Sequence, residues 1–247
     1  MNNWVTFIGE GRSGHTLASA IIASHPNARV AHELKTISAW DRTRVSREEV
    51  IESIFASGIG KERRDMGFEG INTHEEPLML IGDKCGWDLN GYARKHDVEK
   101  TWELLDDFSD NMKMSVKTVL TLRDPIQNIS AWVASPKYQR LWGSTSGRRI
   151  WSKSCRRYIR FHNRAARLLE GMDNIFVLRN EELIATPSDT IDALRKFLEL
   201  PEDVEWLKHT SSKVFSKPRR RELEWPENYL TFAQNYIKLS PLHEYYR

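Results

Sequence analysis

Apolar residues come in two rhythms along this chain: short near-continuous runs, and longer stretches where they recur every third or fourth position. The first rhythm is that of buried strands, the second that of helices with one apolar face. Strands are predicted at Trp4–Gly9 (WVTFIG), Ala28–Glu33 (ARVAHE), Leu78–Lys84 (LMLIGDK), Ser115–Leu122 (SVKTVLTL) and Asn174–Arg179 (NIFVLR). A helix over His15–Ser24 puts Leu17, Ile21 and Ile22 on one face, and Pro26 ends it, because the residue before a proline avoids helical geometry. Ser46–Ser57 has a serine cap and two early glutamates, the pattern of a helix start. Further helices are predicted over Tyr92–Phe108, over Ile126–Ala134 with Pro125 at its first turn, and over Ser188–Leu200. A basic glycine-serine stretch, Pro136–Arg149, leads into a long helix ending near Glu170, and polar Gly58–Pro77 reads as a surface loop or lid.

Strands that alternate with helices predict an α/β fold of three layers, organised like the P-loop proteins, with a mostly parallel central sheet and helices on both faces. Ligands in such sheets bind beyond the carboxyl ends of the strands. Here those ends are Gly9–Gly14, His32-Glu33, Asp83-Lys84 and Arg123-Asp124, so one polar rim gathers most of the residues suited to chemistry. The chain has 247 residues, enough for one such domain with a full core, and residues 1–247 are read as a single domain.

Composition narrows the function little. Thirty-seven basic residues face 34 acidic ones, and a net charge of +3 gives no general case for nucleic acid, so any basic site must be local. Neither a signal-peptide pattern nor a run of ~20 apolar residues is present, which places the expected location in the cytoplasm with no membrane span. Cys85 and Cys155 lie in no metal-ligand spacing and read as ordinary, partly buried thiols.

The stretch GEGRSGHT almost spells the phosphate-binding motif G-x-x-x-x-G-K-[ST], with Gly9, Gly14 and Thr16 in register and His15 where the lysine belongs. A strand, a glycine-rich turn and a helix start make an anion site, because backbone N–H groups and the helix dipole converge there. Arg12 supplies a cation inside the loop.

This loop resembles that of the sulfotransferases that use 3′-phosphoadenosine-5′-phosphosulfate (PAPS). The wider stretch RSGHTLASAIIASHPNARVAHE is similar to the loop, helix, His-Pro turn and acidic residue of the tyrosylprotein-type and related enzymes. The resemblance implies that Arg12 contacts the phosphosulfate, with Ser13, Gly14, His15 and Thr16 around the 5′ phosphate. His15 stands where the family usually has threonine. The resemblance implies Glu33 as general base; His32 beside it, whose unperturbed pKa suits a base better, is the other candidate. A carboxylate serves best as a base if burial raises its pKa, and because neighbouring strand residues point to opposite faces, one of the pair is expected in the site. Lys84, in a D-K pair at a strand end, is implied to steady the sulfuryl group or the leaving phosphate.

RDPIQNIS resembles the family's R-[DN]-P strand end and helix serine, which implies Arg123 and Ser130 at the 3′ phosphate; their spacing is seven residues where eight is common. Arg219 and Arg220 in SKPRRRELEW stand where many members carry a basic segment over that phosphate, although such a run is also the pattern of a solvated surface. Trp40, Trp87, Trp132 and Trp142 fall near the rim, available to an acceptor pocket, to adenine or to the core.

The function so implied is transfer of a sulfuryl group from PAPS to an acceptor hydroxyl or amine, with adenosine 3′,5′-bisphosphate (PAP) as product and no metal. Acceptor recognition is expected in Thr36–Pro77 and Ser135–Arg149. A small-molecule kinase, or a nucleotide-binding protein without catalysis, would use the same loop.

Overall fold

The computed structural model describes residues 1–57, 68, 77–86, 88–141, 147–214 and 223–246. Five strands, β1 (Asn3–Gly9), β2 (Ala28–His32), β3 (Leu80–Lys84), β4 (Ser115–Leu122) and β5 (Ile175–Arg179), form one sheet in the order β2-β3-β1-β4-β5, every pair parallel. All five match the predicted runs within a residue or two. Helices are α1 (His15–Ala23), α2 (Thr36–Thr43), α3 (Arg47–Ala56), α4 (Asp88–His96), α5 (Glu99–Met112) and α6 (Pro125–Val133) in the first half. They continue as α7 (Pro136–Leu141), α8 (Gly147–Glu170), α9 (Asn180–Ala185), α10 (Pro187–Phe197), α11 (Val204–Lys213) and α12 (Glu227–Leu239), before a last 3-10 turn at His243–Tyr246.

Alternation along β1 explains the layers. Trp4 and Ile8 face one side, packed with residues of α2 to α5 and α8, while Val5 and Phe7 face the other, packed with α1 and α9 to α11. A strand buried on both faces has to be nearly all apolar, which is why WVTFIG reads as it does. A third apolar cluster joins α6 and α8 around Trp132 and Trp151.

The α3 start forms the reciprocal serine-glutamate cap that its sequence announces. The helix predicted over Tyr92–Phe108 is two helices. Asp97 between them has φ of 84°, and its carboxylate accepts the Lys100 N–H at 3.0 Å, so a left-handed turn and a new cap interrupt one apolar pattern. The loop predicted over Gly58–Pro77 lies outside the described residues, apart from buried Phe68 and the terminal Pro77.

The sheet is locked to its α2–α5 layer by three rings. Phe108 meets Trp4 and Trp40 edge-on, with centroids 5.1 and 5.2 Å apart, and all three are buried. Phe108→Ala should therefore cost ~3–5 kcal/mol of stability, read as a lower urea midpoint with unchanged slope. Leu239→Ala, at a position 83% exposed, should stay within about 0.5 kcal/mol of the parent.

Candidate active site

β1 ends at Gly9 in the middle of the sheet, between β3 and β4, and the chain turns from there into α1. A Cβ on Gly9 would stand 2.2 Å from Thr121 Oγ1 and 2.9 Å from Ser13 Oγ, so only glycine lets the loop fold back over the strand end. The Ser13 and Thr121 hydroxyls then share a 2.7 Å hydrogen bond that pins the loop to β4. Gly14 has φ of 107°, the left-handed region that glycine tolerates, and is the N-cap of α1. No side chain caps that helix and its first turn holds no acid, which suits an anion at the helix start.

The loop's carbonyl groups turn the other way. Gly11 O accepts from Asn128 Nδ2 at 3.3 Å and from Trp132 Nε1, and Arg12 O accepts from Arg123 Nη1 at 3.1 Å. Arg123 is held in turn by Tyr158, whose hydroxyl donates to its carbonyl at 2.8 Å. Arg12 is exposed at φ of 72°, with Nη2 donating to Ser135 Oγ at 3.4 Å.

At the ends of β2 and β3, Lys84 is buried, and its Nζ lies 3.2 Å from Glu33 Oε1 and 3.5 Å from His32 Nε2. Sequence alternation predicted one of His32 and Glu33 in the site, yet both face Lys84. Glu33 has left the strand and has φ of 57°, which breaks the two-residue period. Asp83 holds that turn by accepting the N–H groups of Leu34 and Thr36, each at 3.1 Å. Partial burial raises the Glu33 pKa, but attraction to Lys84 and His32 outweighs it and the net shift is downward, opposite to the rise a base was expected to gain from burial.

His15 is buried beside Lys84. Burial is the larger cause and the Lys84 charge the next in lowering its pKa to about 4, so at neutral pH it brings a hydrogen-bonding ring and no charge. Its Nδ1 lies 3.5 Å from Ser13 Oγ. Thr16 is half-buried in the first turn of α1. Ser130 is buried on α6, and its Oγ accepts from Trp225 Nε1 at 2.9 Å. The structure thus gathers Ser13, His15, His32, Glu33 and Lys84 in one group, and Arg12 with Arg123 in an adjoining one. Trp40 and Trp132 belong to the apolar clusters, while Trp87, Trp142, Arg219 and Arg220 lie outside the described residues.

Sequence reading missed Asn128, and it named Trp132 for the acceptor pocket, adenine or the core without its bond to the loop, although their spacing of four places both on one face of α6. It also missed the pair of buried Glu10 and half-buried Arg157, in which Arg157 Nε and Nη2 reach Glu10 Oε2 at 3.2 and 3.1 Å. Burial, the largest influence, raises the Glu10 pKa against the pull of Arg157.

A sulfotransferase domain from the curacin biosynthetic pathway superposes with a TM-score of 0.55 at 12% identity, over 96% of this chain and 98% of that one. The sulfotransferase from Alicyclobacillus acidocaldarius does so at 0.55 and 13%, over 97% and 92%. The chain has the sulfotransferase fold. A third structure with this fold, the sulfotransferase domain of the Synechococcus PCC 7002 olefin synthase, gives 0.50 at 15% identity over 95% and 94%. No protein-family model and no curated protein sequence matches the chain. The likeness to sulfotransferase structures is therefore one of backbone, at identities where sequence comparison finds nothing.

Because folding keeps His15 neutral, its contribution to stability is complete above about pH 6.5 and is lost as pH falls toward about 4. His15→Asn should flatten the loss of unfolding free energy measured by urea titration between about pH 7 and about pH 4.5; an unchanged slope would place the acid sensitivity elsewhere, with His25 and His162 the other buried imidazoles whose pKa burial lowers.

Proposed function

We propose that the chain transfers a sulfuryl group from PAPS to an acceptor hydroxyl. The observation that carries the proposal is a phosphate loop without its lysine beside a buried ammonium, Lys84, that reaches the same corner from β3 and lies 3.2 Å from Glu33. The residues present suit PAPS: an uncapped helix start for the 5′ phosphate, Arg12 for the sulfuryl end, and the planar fork of Arg123 for the 3′ phosphate. Ser130, an acceptor from Trp225, still carries a proton that it can donate to the same phosphate.

The nucleotide supplies an activated sulfuryl group on a phosphate that leaves readily. The acceptor oxygen forms the new S–O bond, the S–O bond to the nucleotide breaks with its electron pair, and Glu33 takes the hydroxyl proton. Lys84 has two duties in this scheme. As Nζ turns toward the charge growing on the leaving oxygen, Glu33 loses the partner that holds its pKa down, and its affinity for the proton rises where it is needed. His32, 4.0 Å from Glu33 Oε1, stands ready to hold the carboxylate's orientation. The strand-end carboxylate Asp83 is engaged by the Leu34–Thr36 turn, which removes the residue a kinase reading would most naturally give to Mg²⁺.

Calorimetry with PAP and with ATP plus Mg²⁺ tests the donor: PAP should bind and ATP bind at least ~100-fold more weakly, whereas tight ATP binding without PAP binding overturns the proposal. Arg123→Ala should weaken PAP far more than a nucleotide lacking the 3′ phosphate; equal losses would remove that role. Glu33→Gln should lower turnover by ~100-fold or more with PAP affinity nearly intact, and unchanged turnover would move the base to His32.

A further inference from the structure

A cavity of about 650 Å³ opens on the α2–α4–α8 side of the sheet. One wall is Glu10 of the phosphate loop, and another is Lys35, two residues beyond Glu33, so the cavity spans the loop and the turn that carries the proposed base. That volume holds a small molecule. Among the described residues its lining has eight lysines and arginines against three carboxylates. Two of the carboxylates are paired with arginines, Glu10 with Arg157 and Asp41 with Arg44 at 3.1 Å, and Asp88 accepts the Ser38 N–H at 3.4 Å through one of its two oxygens.

The excess charge is arranged. Lys153, Arg157, Arg160 and Arg164 recur at intervals of four, three and four along α8, which stacks them on one face of the helix, and that face lines the cavity. Like charges at these spacings repel and weaken a helix. Arg94 adds to the repulsion from α4: burial most of all, then Arg94, Arg157 and Arg160, depress the Arg164 pKa against the pull of Glu10. A solvated basic face would not explain this, because Lys153, Arg157 and Arg164 are half-buried in a concavity. A bound anion would offset the positive charge that the described lining holds in excess.

We infer that this cavity takes the acceptor and that the acceptor is a small acid, carrying carboxylate, sulfate or phosphate groups besides the hydroxyl that receives the sulfuryl group. The role as acceptor rests on the sulfuryl-transfer reading; the preference for anions rests on the cavity's charge.

The probes are trigalacturonate and a tyrosine-bearing triglutamate peptide, each against its neutral counterpart, maltotriose and the triglutamine peptide. They are titrated by calorimetry into the full chain, with and without saturating PAP. Each acid should bind at least ~10-fold more tightly than its counterpart. The margin should shrink at raised salt and collapse in Arg160→Glu, at an exposed position, and in Arg94→Ala on the other helix. No acid binding, equal binding of acid and neutral probe, or a margin that both variants retain overturns the inference. PAP binding in the same titrations scores the donor reading separately. PAP bound with no acid preference sinks only the anion site; acid preference without PAP binding sinks only the sulfuryl-transfer reading.

Discussion

The loop between β1 and α1 keeps its shape because its carbonyl groups are tied down from behind. A peptide in a tight loop must place both a donor and an acceptor, and a buried carbonyl without a partner is costly. Helix α6 and the strand end before it resolve this by taking the acceptors: Asn128 and Trp132 hold Gly11 O, and Arg123 holds Arg12 O. With those oxygens tied down and the Ser13 N–H given to Glu10 O at 3.0 Å, the uncapped start of α1 is where an anion would find donors. The Gly9 contact and the Ser13–Thr121 bond complete the same task from β4. Arg123 thereby joins two jobs, bracing the loop backbone and presenting a guanidinium, so its loss would be felt in geometry as well as in charge.

A buried ammonium demands a nearby anion, and Lys84 has found one in Glu33 by bending the chain. The cost is a left-handed non-glycine residue, steadied by Asp83 through two backbone N–H groups. The arrangement at rest is therefore a closed ion pair with Glu33 ionised and only weakly basic. A neutral His15 beside it adds no further positive charge to a corner that already holds one buried cation, whereas a lysine at that position would.

The sheet was legible because parallel strands covered on both faces have to be apolar runs, and no other local pattern imitates five of them in alternation with helices. Most of the rim was legible for a related reason, since a strand end followed by Gly14, Glu33, Lys84 or Arg123 is a local signal. What escaped depends on contacts between distant segments. The break at Asp97 left the apolar period intact, so nothing local marked it. The shared orientation of His32 and Glu33 follows from a backbone angle set by Asp83, fifty residues away in sequence. The basic face of α8 was written in the spacing of Lys153, Arg157, Arg160 and Arg164, but its meaning required knowing that this face is concave and stands opposite Arg94.

The strand order has a consequence for how the molecule comes into being. β1 leaves the N-terminus first and pairs with neither β2 nor anything near it; its partners are β3, with Leu80 opposite Asn3, and β4, with Ser115 opposite the same residue. Among the described residues, β2 in turn joins the sheet only through β3. Closing loops of that length before any strand pairing is gained makes the central strand a late acquisition and places this chain among slow folders. Until β3 and β4 arrive, WVTFIG is an unpaired apolar strand, and the phosphate loop attached to it has no shape to hold. Formation of the sheet's centre and shaping of the loop between β1 and α1 are thus a single event in the folding of this protein.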